Sequence, residues 1–269
     1  MTSVTNRIRQ VEQPRGGYIK PSMFSKMVFE DGSVLSTDEN IHVSLIGLTV
    51  DYLTRFMMSG DVNAAFDISA VGYDNYRRVF GESEYENRLD VLLDNIRGVD
   101  DASIISACKA VTYDVWYRNP YAALNSKSAA ETNPDDKTIQ NIRIMVNRSV
   151  AFFKKFGPIT AAGFSFIETD TCGNIAKTGY TDVVNAGDGD YLTNDTIWDF
   201  KASKKAPDKN ATLQILMYYI MGEHSKIDIF RNINKVGFFN PRLNTVYILE
   251  IDKVPEEVIH TVENDVICY

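Results

Sequence analysis

Gly179-Tyr180-Thr181-Asp182, then Ile197-Trp198-Asp199-Phe200-Lys201, then Gln214: these residues decide how the chain is read. Successive side chains on a strand point to opposite faces. If residues 196–202 are extended, Asp199 and Lys201 share one face while Trp198 and Phe200 enter the opposite layer. A carboxylate and an ammonium are then preset as a pair. Residues 176–184 are also β-prone, and pairing of the two segments would let Asp182 and Asp199 converge. Gly187-Asp188-Gly189-Asp190 supplies the turn between them, giving a long-looped hairpin.

Working outward, residues 159–167 read as a further strand, and 211–222 as a helix with Leu213, Leu216, Met217 and Ile220 on its apolar face. Residues 236–239 and 246–251 read as strands around Asn240-Pro241-Arg242-Leu243-Asn244, with an amphipathic helix over 255–266. A helix over 138–156 precedes this set. It is capped by Asp135 or Asp136, faced by Ile139, Ile142, Val146, Val150 and Phe153, and stopped by Gly157-Pro158. That order predicts an α/β (α+β) fold with a mixed central sheet flanked by helices.

The first half differs. Residues 1–40 are polar and turn-rich (Pro14, Gly16, Gly17, Pro21, Gly32) and read as an irregular arm. Residues 41–137 read as a helical region packed on the core at 138–269. In it Ile41, Leu45, Leu48 and Tyr52 form one apolar row, and Ile46, Val50, Leu53 and Met57 a second, before a stop near Gly60. Two rows predict a helix buried on much of its circumference. Tyr85, Leu89, Leu92 and Ile96, then Ile104, Cys108, Val111 and Val115, repeat the pattern.

Composition narrows the function classes. No apolar run reaches the roughly 18–20 residues of a membrane span, and Met1–Arg7 carries no signal-type apolar segment, so a cytoplasmic protein without membrane contact is expected. Cys108, Cys172 and Cys268 are too scattered for a disulfide framework or a metal cluster. The net charge of −8 argues against a surface that is basic all over. A local stripe is what a nucleic acid needs. Two exist: Arg7, Arg9, Arg15, Lys20 and Lys26, and the run Lys201, Lys204, Lys205 and Lys209 that starts inside the motif.

Two carboxylates and a lysine suit phosphodiester hydrolysis. Carboxylate oxygens are hard ligands for Mg²⁺, which binds through one or two of them plus substrate phosphate. The ordered set Gly179-x-x-Asp182, Asp199-Phe200-Lys201, Gln214 and Tyr218 resembles the PD-(D/E)XK nuclease superfamily, in particular its RecB-like branch, over roughly residues 157–252. The resemblance implies a restriction-endonuclease-like core and a metal-dependent DNA nuclease. It implies that Asp182 and Asp199 hold Mg²⁺ or Mn²⁺, that Lys201 serves catalysis, and that Gln214 positions the lysine or the substrate. Lys204, Lys205 and Lys209 would hold backbone phosphate.

The chain also departs from that pattern. Many RecB-like enzymes carry a further His or acid ligand on the first core helix, and residues 138–156 contain no Asp, Glu or His. Gly47-Leu48-Thr49-Val50-Asp51 resembles the Gly-x-x-x-His placement with Asp51 in the His position; Glu168 and Asp170 are flanking candidates. Asp188, Asp190 and Asp195 read as turn residues, Arg242 as a possible phosphate contact, and His42, His224 and His260 as scattered residues without ligand spacing. The rival expectation is a catalytically inactive nuclease-fold binding module in a defence or counter-defence complex, with a protein partner or a second copy of the chain.

Overall fold

Pro, Gly and polar residues dominate the first 40 positions, yet two regular elements form there. The computed structural model describes residues 2–269. Helix α1 (Val4–Gln10) is capped by the Ser3 hydroxyl, which accepts the Asn6 N–H, and it buries Val4 and Ile8. Strand β1 (Ser25–Val28) joins the edge of a sheet. The expected irregular arm is therefore corrected: both elements are short, and tertiary pairing rather than local pattern makes them. The chain divides into a helical unit, residues 30–151, and a sheet unit formed by residues 2–29 with 152–269.

The helical unit begins with α2 (Val43–Ser59), which starts at a His42 cap and ends at Gly60, whose φ of 75° suits a residue without a side chain. Ile46, Val50 and Leu53 are fully buried, as their apolar row requires, while Met57 at the end of that row is exposed. Then follow α3 (Val62–Ala65), α4 (Asp67–Phe80), α5 (Leu89–Asp94), α6 (Asp101–Ala110), α7 (Asp114–Arg118) and α8 (Pro120–Ala123). The long α9 (Asp136–Phe156) starts at Asp135, whose carboxylate accepts the Thr138 N–H at 2.8 Å. A buried polar centre ties α2, α4 and α7 together: Asp114 accepts hydrogen bonds from the hydroxyls of Tyr52 and Ser69.

In the sheet unit the elements are β2 (Ile159–Ser165), β3 (Ile167–Thr169), β4 (Ile175–Thr178), β5 (Asp188–Thr193), β6 (Thr196–Phe200), α10 (Lys209–Ser225), β7 (Lys235–Asn240), β8 (Thr245–Glu250) and α11 (Glu256–Thr261). A π-helical turn, Val262–Ile267, extends α11. The main sheet has six strands in the order β1-β8-β7-β6-β5-β2. Among the described strands of this sheet only β6 and β7 pair in parallel, and α10 makes the crossover a parallel pair requires. The sheet is thus mixed, as expected.

Both faces of the sheet are covered. Leu192, Ile197, Val236 and Phe238 pack with Leu213, Leu216, Met217 and Ile220 of α10. Tyr191, Trp198 and Phe239 pack on the other face with Phe152 and Phe153, and the Phe152 ring stacks on Phe239 at 4.4 Å. Burying a large aromatic side chain on this scale contributes roughly 1.5–3 kcal/mol each.

One expected pairing is not formed. The segment carrying Asp182 ends as a strand at Thr178 and pairs with β3, not with β6. The antiparallel partner of β6 is β5, in a tight hairpin that uses the residues expected to be a turn.

Candidate functional site

The β5–β6 hairpin and α10 build the site. On β6, Ile197 faces the α10 layer and Trp198 the opposite one, so alternation carries Asp199 to the α10 side. Lys201 lies one residue past the strand and prolongs it, its N–H donating to the Phe239 carbonyl at 3.0 Å. Its Nζ donates to Asp199 Oδ1 at 3.0 Å and to Gln214 Oε1 at 3.4 Å. Asp199 is 3 % exposed. The expected carboxylate–lysine pair and its supporting glutamine are thus brought together.

The second carboxylate is Asp190. The β5–β6 register pairs Tyr191 with Trp198 and Leu192 with Ile197, and one step further along sets Asp190 opposite Asp199. Leu192 lies in the α10 layer, so Asp190, two residues earlier, shares that face. Its Oδ2 accepts the Phe200 N–H at 2.7 Å, which fastens the carboxylate to the start of the Lys201 loop.

Electrostatics tie these groups together. Burial works against the charged form of Lys201, but the charges of Asp199 and Asp190 outweigh it and hold the ammonium above the ordinary lysine range. The Gln214 side-chain amide donates to the Tyr218 hydroxyl at 2.8 Å, one helical turn further along α10. Burial, reinforced by Asp199, Asp190 and Asp188, keeps the Tyr218 phenol firmly protonated. The result is a chain from Asp199 through Lys201 and Gln214 to Tyr218, with Asp190 across the hairpin.

Asp182 is placed elsewhere. It is exposed in the bend that follows β4, and no strand pairing carries it to Asp199. The physical reason is local: Thr181 closes a turn on itself, its N–H donating to the Val184 carbonyl and its hydroxyl to the Ile267 carbonyl, so residues 179–187 cannot run on as a strand. The residue missed from sequence is Asp190. Gly187-Asp188-Gly189-Asp190 has the same Gly-x-x-Asp spacing as Gly179-Tyr180-Thr181-Asp182 and lies directly before the Asp199-Phe200-Lys201 strand, and that signal was available.

The remaining candidates scatter. Asp51 pairs with Arg55 on the next turn of α2. Glu168 pairs across the β3–β4 hairpin with Lys177 at 3.5 Å. Asp170 folds back on the N–H groups of Cys172 and Asn174. Asp195 holds Lys235 at 2.6 Å. Arg242 is buried and donates to the Ala202 carbonyl, which makes it part of the support under the lysine loop. His224 and His260 both bond Glu263. Lys204, Lys205 and Lys209 are exposed, in and just after the loop that follows Lys201. Among the described residues no three or more His, Cys, Asp or Glu side chains gather as a metal cluster.

A divalent cation can be weighed against the donor set. Asp190 and Asp199 offer hard oxygens on adjacent strands, and two carboxylates are what Mg²⁺ takes when substrate phosphate and water complete its shell. The set fits Mg²⁺ or Mn²⁺ and not a closed structural zinc site, which needs four N or S ligands. Comparison of the chain with protein-family models, with curated proteins and with solved structures gives no match.

Proposed function

We propose that the chain is a metal-dependent phosphodiesterase acting on DNA, with a restriction-endonuclease-like core of the PD-(D/E)XK type. The observation that carries this reading is the position of Lys201 Nζ, 3.0 Å from Asp199 and 3.4 Å from Gln214, with Asp190 opposite on β5. Asp190 takes the place first given to Asp182, which keeps the order of carboxylate, carboxylate–lysine and glutamine along the chain.

Asp190 and Asp199 would hold the cation. When bound, it acidifies a water and neutralises charge on the phosphoryl oxygens. Lys201 is a cation at neutral pH, since its ammonium is held above the ordinary lysine range. It therefore serves as a positive charge beside the developing phosphorane and as a donor orienting the attacking water, not as a general base. Gln214 fixes the lysine, and Tyr218 fixes Gln214. Lys204, Lys205 and Lys209 hold backbone phosphate without reading bases.

The experiment is cleavage of linear, circular and single-stranded DNA with Mg²⁺ or Mn²⁺, comparing the wild type with Lys201→Ala, Asp190→Asn and Asp182→Asn. Loss in the first two and retention in the third is the expected pattern. Cleavage that survives unchanged in Lys201→Ala removes the site from the chemistry. If no substrate is cut and calorimetry finds no Mn²⁺ binding that depends on Asp199, the chain is instead a catalytically silent binding module that keeps the fold.

A further inference from the structure

The first apolar row of α2 does not find, ahead of Tyr52, the burial its pattern calls for. Ile46, Val50 and Leu53 are fully buried, but Leu45 and Leu48, with Ile41 just ahead of the helix, are half-buried. They line a cavity of about 630 Å³ whose opposite wall includes Val111 and Val115. That volume lies within the range of roughly 300–1,000 Å³ found for small-molecule sites.

The polar groups of this cavity are unlike those of the unit around it. Residues 30–151 carry 11 Lys and Arg against 19 Asp and Glu, a net of −8. The cavity instead collects Arg118, Lys127 and His42, all exposed, against one acid, Asp114. Both Asp114 oxygens are engaged, by Tyr52 and Ser69, and its carboxylate is also 3.7 Å from Arg118. His42 Nδ1 accepts the Ser44 N–H at 3.3 Å, so its proton sits on Nε2 and can be donated outward. Local sign, not the unit's net charge, governs what a cleft attracts.

We propose that this cavity binds a monomeric organic anion with an aliphatic body, of the size of a medium-chain fatty acid. The chain lies against Leu45, Leu48, Val111 and Val115, and the carboxylate meets Lys127, His42 and the outer face of Arg118. Apolar walls with a few convergent donors are the arrangement that orients such a ligand. The site lies within residues 41–132 and is independent of the chemistry of Asp190, Asp199 and Lys201.

The test is calorimetry of the full chain with decanoate, decanol and decyltrimethylammonium at neutral pH. Decanoate binds, and the His42→Ala/Lys127→Ala double variant weakens it by about tenfold or more, the scale of one charge-assisted contact. Leu48→Trp fills the cavity and abolishes binding; should that variant not fold, Val115→Phe fills it from the other wall. Equal binding of the three probes overturns the anionic part of the proposal, and unchanged decanoate binding in a folded filling variant overturns the site. A wild-type dimer in sedimentation that Leu48→Trp dissociates would assign the apolar row to a second copy of the chain and overturn it as well.

Discussion

The sheet unit holds 17 Lys and Arg and 17 Asp and Glu, whereas the helical unit holds 11 and 19, so the chain's entire formal charge of −8 belongs to residues 30–151. The sheet unit also gathers four of its lysines, at 201, 204, 205 and 209, within nine residues of one another. The whole-chain charge argued against a surface that is basic all over; resolved by unit, that excess of acid lies in the helical half. Binding of phosphate is governed by local potential, and the neutral unit with the lysine run is where the candidate site lies. The acidic unit has instead a buried Asp114 centre and an apolar cavity.

The most direct way to break this division of labour is to remove a charge from each unit. Lys201→Met removes the positive charge beside the reacting phosphate and Asp190→Asn a ligand of the cation; each should lower cleavage by about 10²–10³-fold. Asp51→Asn, on α2, leaves the rate within about threefold, because its carboxylate is bonded to Arg55 on the same helix. Steady-state cleavage assays in Mg²⁺ decide it. If Asp51→Asn is as damaging as Asp190→Asn, the helical unit supplies part of the site.

A second contrast concerns packing. A Cβ at Gly72 on α4 would lie 2.0 Å from the Tyr113 carbonyl oxygen, a backbone atom that cannot swing aside. Gly72→Ala therefore destabilises the protein by about 1–3 kcal/mol, the cost of overpacking a rigid contact. Gly47→Ala on α2 meets nothing within 4 Å and is expected to be neutral or slightly stabilising, since Ala is the better helix former. Chemical denaturation of the two variants checks the sign of each.

Why β6 was legible and β5 was not can be traced to single residues. On β6 the alternation of Trp198 and Phe200 with Asp199 and Lys201 admits only one way of facing a buried layer, and Gln214 follows on a strongly apolar helix. Both were readable from pattern alone. β5 opens with Asp188-Gly189-Asp190, residues with poor strand preference. It extends because Tyr191 and Leu192 are buried and because Gly189 leaves room for the Phe164 ring, whose nearest atom would lie 2.0 Å from a Cβ there. Those are long-range facts absent from any local window. β1 is similar, with Ser25-Lys26-Met27-Val28 ordered by its ladder to β8. The two apolar rows of α2 were visible, but not that Leu45 and Leu48 of the first would stay half-buried.

A smaller effect sharpens the charge comparison. Each phosphate contact on duplex DNA contributes about 0.9 to the slope of log K against log salt. Replacing Lys204, Lys205 and Lys209 by Ala should reduce that slope by about 3 and weaken binding to all sequences alike. Replacing Glu82, Glu84 and Glu86 of the helical unit by Gln, the same change in number and sign of charge reversed, should leave the slope where it was. Binding titrations across a salt series read both.

The smallest expected effect separates the units by pH. In the helical unit the Arg148 guanidinium, bonded to Asp31 at 2.6 and 2.9 Å, draws the Asp31 carboxyl down from 3.8 to about 2. A folded-state value below the unfolded one means the pair stabilises above about pH 4 and stops doing so as pH falls through about 2. Asp31 is about a third exposed, so solvent limits the effect to about 1 kcal/mol or less. In the sheet unit the sign is opposite: Lys201 is raised above 10.5, so its contribution is complete below that value and fades at higher pH. The wild type and Asp31→Asn should therefore differ in urea midpoint at pH 5 and converge near pH 2, while Lys201→Met shows its difference at neutral pH and loses it only in strong alkali. Equal midpoints for the wild type and Asp31→Asn at pH 5 would mean that the Arg148 pair adds nothing to the acid stability of the helical unit.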